Sequence, residues 1–219
     1  MGCSGFLPAE QGRSGSGRIS RQMSKSLDEM TDEERSQLFP IILSEYKPAW
    51  KKNYLKERAM VEQAVGWRNI VRINHIGSTA VPGLIAKPTV DILVEIKDDT
   101  NTARLIANMQ LGGYRYLEQP KNPPPHMMFI KGYTPEGFKG QVFHVHVRYS
   151  GDWDELYFRD YLLSHPETAE EYGRLKLEQK QKYAHNRDAY TNAKTDFIRR
   201  ITGLARAGVE KNTTNTGVQ

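Results

Sequence analysis

Cysteine is almost absent. Cys3 is the only one in 219 residues, which excludes an intramolecular disulfide and argues against an oxidising compartment. No run of 18 or more apolar residues occurs, so no membrane span is expected. The opening residues also lack the apolar region of a secretory signal. Met1-Gly2-Cys3-Ser4 starts like a myristoylation signal, yet Phe6 stands where that pattern wants Ser or Thr. The chain is therefore expected to be cytoplasmic. Internal repeats are missing as well, and no stretch reads as a linker between domains.

What is present is an ordinary globular balance, with 38% hydrophobic and 26% charged residues, enough for one core. The formal charge of +5 favours anionic partners such as phosphates or RNA. Residues 1–30, rich in Gly, Ser and Arg, read as a disordered arm. Residues 31–206 read as the folded domain and 207–219 as a flexible tail.

Within the domain, Thr31-Asp32-Glu33-Glu34 has capping-box spacing and opens a short helix. Residues 39–43 read as a short edge strand, and a long helix runs from Pro48 to about Gly66. The β-branched runs 70–76 and 89–96 predict buried strands, separated by a structured loop that Gly77, Pro82, Gly83 and Pro88 impose. Residues 102–111 predict a helix closed by Gly112-Gly113. Strands at 114–117, 127–130 and 142–147 complete a mixed sheet, with 132–140 as a hairpin loop. Helices at roughly 152–164, 167–184 and 187–206 follow. The expected class is α/β (α+β), a mixed sheet flanked by helices with a helical C-terminal segment.

The chemistry concentrates between His75 and Glu95. A strand ends in Gly77-Ser78, a turn-rich loop follows, and the next strand carries Asp91. Glycine lets the backbone approach an anion closely, and a serine hydroxyl with free N–H groups can hold phosphate oxygens. A carboxylate on the neighbouring strand can hold Mg²⁺ or orient a nucleophile. A bare Gly-Ser pair is usually only a turn; the whole string is far more specific. Ser78 reads either as a phosphate ligand or as a nucleophile with His75, His144 or His146 as base, and His75 is also placed to orient the loop. Gly77, Thr79, Lys87 and Glu95 are candidate substrate-binding residues. His144 and His146 share one strand face, so with Asp91 they offer a carboxylate–imidazole site for one metal ion. Their plainer role is structural hydrogen bonding beside a polar cleft.

The string from His75 to Ile92, His-Ile-Gly-Ser-Thr-Ala-Val-Pro-Gly-Leu-Ile-Ala-Lys-Pro-Thr-Val-Asp-Ile, resembles the hallmark of the GrpB family. The likeness continues in Tyr46-Lys47-Pro48-Ala49-Trp50, in Phe143-His144-Val145-His146-Val147, and in Phe158-Arg159-Asp160-Tyr161-Leu162 with His165-Pro166. It extends to Tyr190-Thr191-Asn192-Ala193-Lys194 with Phe197-Ile198, and so covers roughly residues 40 to 200. The resemblance implies a nucleotidyltransferase-like fold. Active members of that superfamily pair two carboxylates two residues apart, whereas here the partner position of Asp91 is Leu93. The two-metal chemistry of such enzymes is thus placed in doubt.

Two enzymatic expectations and one bland one follow. Fungal arginine-containing cyclodipeptide synthases resemble GrpB-like proteins, and this chain is similar to them in size and basic character. That likeness implies aminoacyl transfer from charged tRNA: arginyl-tRNA and a second aminoacyl-tRNA as partners, cyclo-Arg-Xaa as product, and no required cofactor. Ser78 would accept the first aminoacyl group, and Asp91 or Glu95 would pair with the guanidinium. The basic C-terminal helices, through Arg174, Lys176, Lys180, Lys182, Arg187 and Lys194, would grip the RNA backbone, although the plainer reading of the same residues is a solvated helix face. The alternative is a Mg²⁺-dependent nucleotidyltransferase acting on a small molecule. The third reading is a non-catalytic nucleotide-binding module.

Overall fold

A computed structural model describes residues 25–119, 122 and 125–215. The expected N-terminal arm thus lies mostly outside the described residues. Helix α1 (Asp32–Leu38) begins with the expected capping box, Thr31 Oγ1 accepting from the Glu34 N–H while the Glu34 carboxylate accepts from the Thr31 N–H. Helix α2 (Ala49–Val65) follows and buries Trp50, Tyr54, Val61 and Val65.

Among the described residues five strands form one sheet: β1 (Ile70–Ile76), β2 (Thr89–Ile96), β3 (Arg115–Leu117), β4 (Met127–Thr134) and β5 (Gly137–Tyr149). The spatial order is β1-β2-β5-β4-β3, and only β2 and β5 run parallel. The crossover between those two carries α3 (Thr102–Leu111), capped by the Asn101 side chain, and the β3–β4 edge. One sheet face, with Val90, Ile92, Val94, Val145 and Val147 at or near zero exposure, packs with α2 and α3 as the main core. Strand periodicity turns the alternate residues Asp91, Glu95, His144 and His146 to the other face.

The C-terminal helices α4 (Asp154–Ser164), α5 (Pro166–Tyr183), α6 (Arg187–Asn192) and α7 (Thr195–Asn215) supply a second, smaller apolar cluster. It joins Val81 and Leu84 of the β1–β2 loop to Leu162, Ala169 and Tyr172. α5 thereby lies over the loop that carries the Gly-Ser turn.

Three expectations need correction. Residues 39–43 form no strand: Phe39 and Ile41 are buried, the Ile41 N–H bonds to the Ala184 carbonyl beyond α5, and only Ser44 bridges to Ala86. The segment 132–140 is not a loop but mostly strand. The hairpin closes at Pro135-Glu136, and its slack is taken up by an irregularity at Gly132, where φ is 91° and an added Cβ would lie 2.8 Å from the Gln141 carbonyl oxygen. The last helix is broken at Ala193-Lys194 and then runs on to Asn215, so the expected tail from 207 is helical over most of its length.

Candidate active site

Parallel pairing sets Asp91 directly beside His144, while antiparallel pairing sets it beside Ile76, the last residue of β1. The Gly77–Ser78 turn therefore starts at the Asp91 side chain. Gly77 has φ 69° and ψ −175°, a conformation open essentially to glycine alone. A Cβ there would also lie 2.5 Å from Asp91 Oδ2. The turn and the carboxylate touch because position 77 has no side chain.

Asp91 Oδ1 is 3.4 Å from His144 Nδ1 and 3.9 Å from His146 Nε2. One ligand atom from each of the three residues lies within 4.8 Å of the others. Ligands about 2.0–2.1 Å from a tetrahedral ion stand somewhat over 3 Å apart, so the three residues can close on one metal with small side-chain shifts. Burial works to raise the Asp91 pKa, but hydrogen bonds and charge from His144 and His146 prevail and hold it well below the usual carboxylate range. Burial lowers the pKa of His144, favouring the neutral imidazole a metal requires. Its Nε2 meets the Tyr133 hydroxyl at 2.8 Å, and Arg187 Nη2 donates to that hydroxyl at 3.3 Å. With Nε2 engaged, Nδ1 is the nitrogen turned to Asp91.

Next to the Gly77–Ser78 turn stands a group of amines. Lys176 of α5 donates to Ser78 Oγ at 3.0 Å and to the Ile85 carbonyl, and packs 4.6 Å from the centre of the Tyr172 ring. Lys194, at the break between α6 and α7, donates to the Tyr190 carbonyl at 2.5 Å and sits 3.6 Å from the centre of that ring. Lys87 lies 5.6 Å from the same centre. Lys176 and Lys194 are 3% and 7% exposed. Burial, and then repulsion from Lys194 and Lys87, pushes Lys176 down to about 7; burial, and then Lys87, does the same to Lys194.

The structure sorts the sequence candidates. Gly77 and Ser78 adjoin Asp91, His144 and His146 flank it, and Lys87 lies within electrostatic reach of the same carboxylate, so these six gather at one site. Thr79 is removed from the substrate: it is buried, donates to the Thr89 carbonyl and meets His75 Nε2 at 3.0 Å. His75 lies on the opposite sheet face, its ring stacked at 4.7 Å on Tyr54 of α2, where burial lowers its pKa to about 4. It braces the loop through Thr79. Glu95 is fully buried and held by two bonds from Arg72, at 2.6 and 2.9 Å, and does not join the cleft.

The six basic residues expected to form one RNA-gripping surface do not do so. Arg174 is exposed and paired to Glu170, Lys182 is exposed and Lys180 half-buried. Lys176 and Lys194 are drawn inside, and Arg187 turns inward to the Phe39 carbonyl and Tyr133. Missed from sequence as parts of the cleft were Tyr133, Tyr172 and Tyr190, together with the inward course of Lys176 and Lys194. The Lys194 signal was the break at Ala193-Lys194, which reads as helix by periodicity alone.

The architecture is thus a mixed α+β fold in which charged groups of the sheet and of the C-terminal helices come together around the Gly77–Ser78 turn. The sequence model of the GrpB protein family matches residues 40–203, and the chain belongs to that family. It is 36% identical over 177 residues to a UPF0157 protein of Pseudomonas aeruginosa, covering 80% of this chain and 70% of that one. It is also 32% identical over 165 residues to the glutamate-rich protein GrpB of Alkalihalophilus pseudofirmus, covering 74% and 93%. The crystal structure of the conserved protein GrpB from Enterococcus faecalis superposes with a TM-score of 0.66 at 30% identity, over 75% of this chain and 96% of that one. Among the described residues no helix is long and apolar enough to cross a membrane.

Proposed function

We propose that the cleft is the active site of a transferase that takes a phosphate-bearing donor and works with a single divalent metal ion. The observation that carries this reading is the juxtaposition of Asp91, His144 and His146, closing to within 4.8 Å, with the Gly77–Ser78 turn that abuts Asp91. Bound there, a metal ion supplies Lewis-acid polarisation of a phosphoryl oxygen. The chain's own residues do the remainder. The Ser78 hydroxyl and the N–H groups of its turn hold phosphate oxygens, Lys87 and Lys176 balance their charge, and ionised Asp91 orients the metal side. With Leu93 buried where a second carboxylate would stand, Asp91, His144 and His146 would hold one ion and not two.

A second reading, aminoacyl transfer from charged tRNA to give cyclo-Arg-Xaa, has one observation in its favour. The Lys176 amine stands 3.0 Å from Ser78 Oγ, the reach of a base that could make serine an acyl acceptor. Against it, Glu95 is held by Arg72, and two of the six expected RNA contacts are buried.

One assay separates the two. Purified protein is given nucleoside triphosphates with Mg²⁺, Mn²⁺ or Zn²⁺ and a small-molecule extract, and pyrophosphate release is followed. Metal-dependent release that is lost in Asp91→Asn supports the first reading. Absence of release, with cyclic dipeptide formed from arginyl-tRNA in the presence of a chelator and abolished by RNase, sinks it in favour of the second.

A further inference from the structure

The mechanism just outlined uses Lys87 and Lys176 only as background charge and leaves Lys194 without a task. Three amines gather between Ser78 and Tyr190, two of them almost wholly buried, and among the described residues none forms an ion pair with a carboxylate. Burying one amine without a partner is expensive, and bringing a second and a third beside it adds repulsion. The hydrogen bonds on hand are a serine hydroxyl and two carbonyls. Among the described residues the Tyr190 hydroxyl is buried with no hydrogen-bond partner.

A fold keeps such a cluster where an anion completes it. The amines come from three separate elements: Lys87 from the β1–β2 loop, Lys176 from the middle of α5, and Lys194 from the break before α7. Lys176 contacts Ser78, whereas Lys87 and Lys194 flank Tyr190. The cations therefore run from the Gly-Ser turn to Tyr190 of α6, and Lys87 also lies within electrostatic reach of Asp91 and His144. A single phosphate at Ser78 engages Lys176 alone; a chain of phosphates engages the whole row.

We infer that Lys87, Lys176 and Lys194 form a binding site for a polyphosphate group, two or more linked phosphates, whose first member sits on the Ser78 turn. This inference rests on the phosphate-donor reading and names the class of donor: a nucleoside di- or triphosphate or another condensed phosphate, as opposed to the single phosphodiesters of an RNA end.

The test is calorimetric and needs no turnover. The full chain in chelator, without metal, is titrated with inorganic tripolyphosphate, orthophosphate, a nucleoside triphosphate and an RNA oligonucleotide ending in CCA. Tripolyphosphate is expected to bind at least tenfold tighter than orthophosphate and than the RNA. Tighter binding of the nucleoside triphosphate assigns the donor as a nucleotide, and equal binding assigns the polyphosphate group alone. Near pH 7.5 binding takes up protons, because an incoming anion recharges Lys176 and Lys194, whose neighbours are Lys87, Ser78, Tyr172 and Tyr190.

Lys176→Met and Lys194→Met each weaken tripolyphosphate binding at least tenfold without lowering Tm, and Arg174→Ala, on the exposed face of α5, leaves it unchanged. Should either Met variant fold poorly, Lys194→Gln and Lys87→Met carry the same expectation. Tripolyphosphate affinity equal to that of orthophosphate, indifference to the lysine variants, or tighter binding of the RNA overturns the inference. Polyphosphate binding without any transfer activity would leave this site standing and remove only the proposed reaction. Transfer from a nucleotide that ignores the lysine variants would remove only this site.

Discussion

The Lys176 amine meets the Ser78 hydroxyl at 3.0 Å across 98 positions of sequence. Helix α5 achieves this by lying close against the β1–β2 loop, and Gly173, one turn before Lys176, makes the approach possible. A Cβ at Gly173 would stand 3.3 Å from Ile85 Cγ2 and 3.7 Å from Leu84 Cδ1.

Substitution at Gly173 therefore tests how α5 is seated. In Gly173→Ala a helix-propensity gain of up to about 1 kcal/mol is set against a contact that half-buried Ile85 can relieve. The expected net change in denaturant unfolding is within about 0.5 kcal/mol. Gly173→Leu overpacks the same contact and is expected to cost about 1–3 kcal/mol. It also draws Lys176 from Ser78, so tripolyphosphate binding weakens with it. Full stability in Gly173→Leu would show that α5 does not rest on this loop.

Arg72 and Glu95 give an asymmetric pair. Glu95 is fully buried, while the Arg72 side chain keeps 48% of its exposure. Arg72→Ala leaves a buried carboxylate with only the Gly151 N–H, at 3.2 Å, and is expected to cost about 3–5 kcal/mol. Glu95→Gln keeps the shape and leaves an arginine that water can reach, so the loss is nearer 1–2 kcal/mol. Chemical denaturation of the two variants at neutral pH decides it. Equal losses would mean that the buried carboxylate is compensated by something other than Arg72.

The fold was legible where one residue pattern dictates one outcome, as in the β-branched runs of β1 and β2 and the capping box of α1. The Asp91, His144 and His146 grouping was legible too, because period-2 alternation and a parallel neighbour suffice to place them together. The lysines were not. A basic residue on a helix reads as solvent-facing unless its tertiary partner is known, and here the partners of Lys176 are Ser78 and the Ile85 carbonyl, about 90 residues earlier. Glu95 misled for the same reason, since its share of the Asp91 face was visible but its bond to Arg72 was not. The hairpin at Pro135-Glu136 escaped because Gly132, Gly137 and Gly140 look like loop residues, whereas each takes a positive φ within a strand.

If Asp91, His144 and His146 bind a metal ion as proposed, Tyr133 is expected to act on its affinity through His144. Its hydroxyl engages Nε2 at 2.8 Å and fixes which ring nitrogen faces Asp91. Tyr133→Phe removes that contact while keeping the aromatic packing against Phe39 and Phe138. Zn²⁺ or Mn²⁺ affinity, read by competition with a chromophoric chelator, is expected to fall about 10- to 100-fold. His144→Ala should lose more. Affinity unchanged in Tyr133→Phe would mean that the imidazole is oriented without the hydroxyl.

The buried amines also predict how stability depends on alkaline pH. Lys176 and Lys194 are held down to about 7 by burial, from an ordinary value of 10.5. Between those values the unfolded chain binds protons that the folded chain does not, so raising the pH strips protons from the unfolded state and stabilises the fold. The contribution is fully present above the unfolded pKa and is lost as pH falls through about 7. Each lysine adds a slope of up to about 1.4 kcal/mol per pH unit, and about half of that is a fair expectation once relaxation is allowed. Tyr172 and Tyr190, raised by burial, act in the opposite sense only once pH passes their ordinary value of 10. Urea unfolding at pH 7, 8 and 9 should therefore show rising stability, reduced in Lys194→Met and nearly flat in the Lys176→Met, Lys194→Met double variant. A wild-type curve that falls over this range would mean that the two amines stay charged in the folded protein.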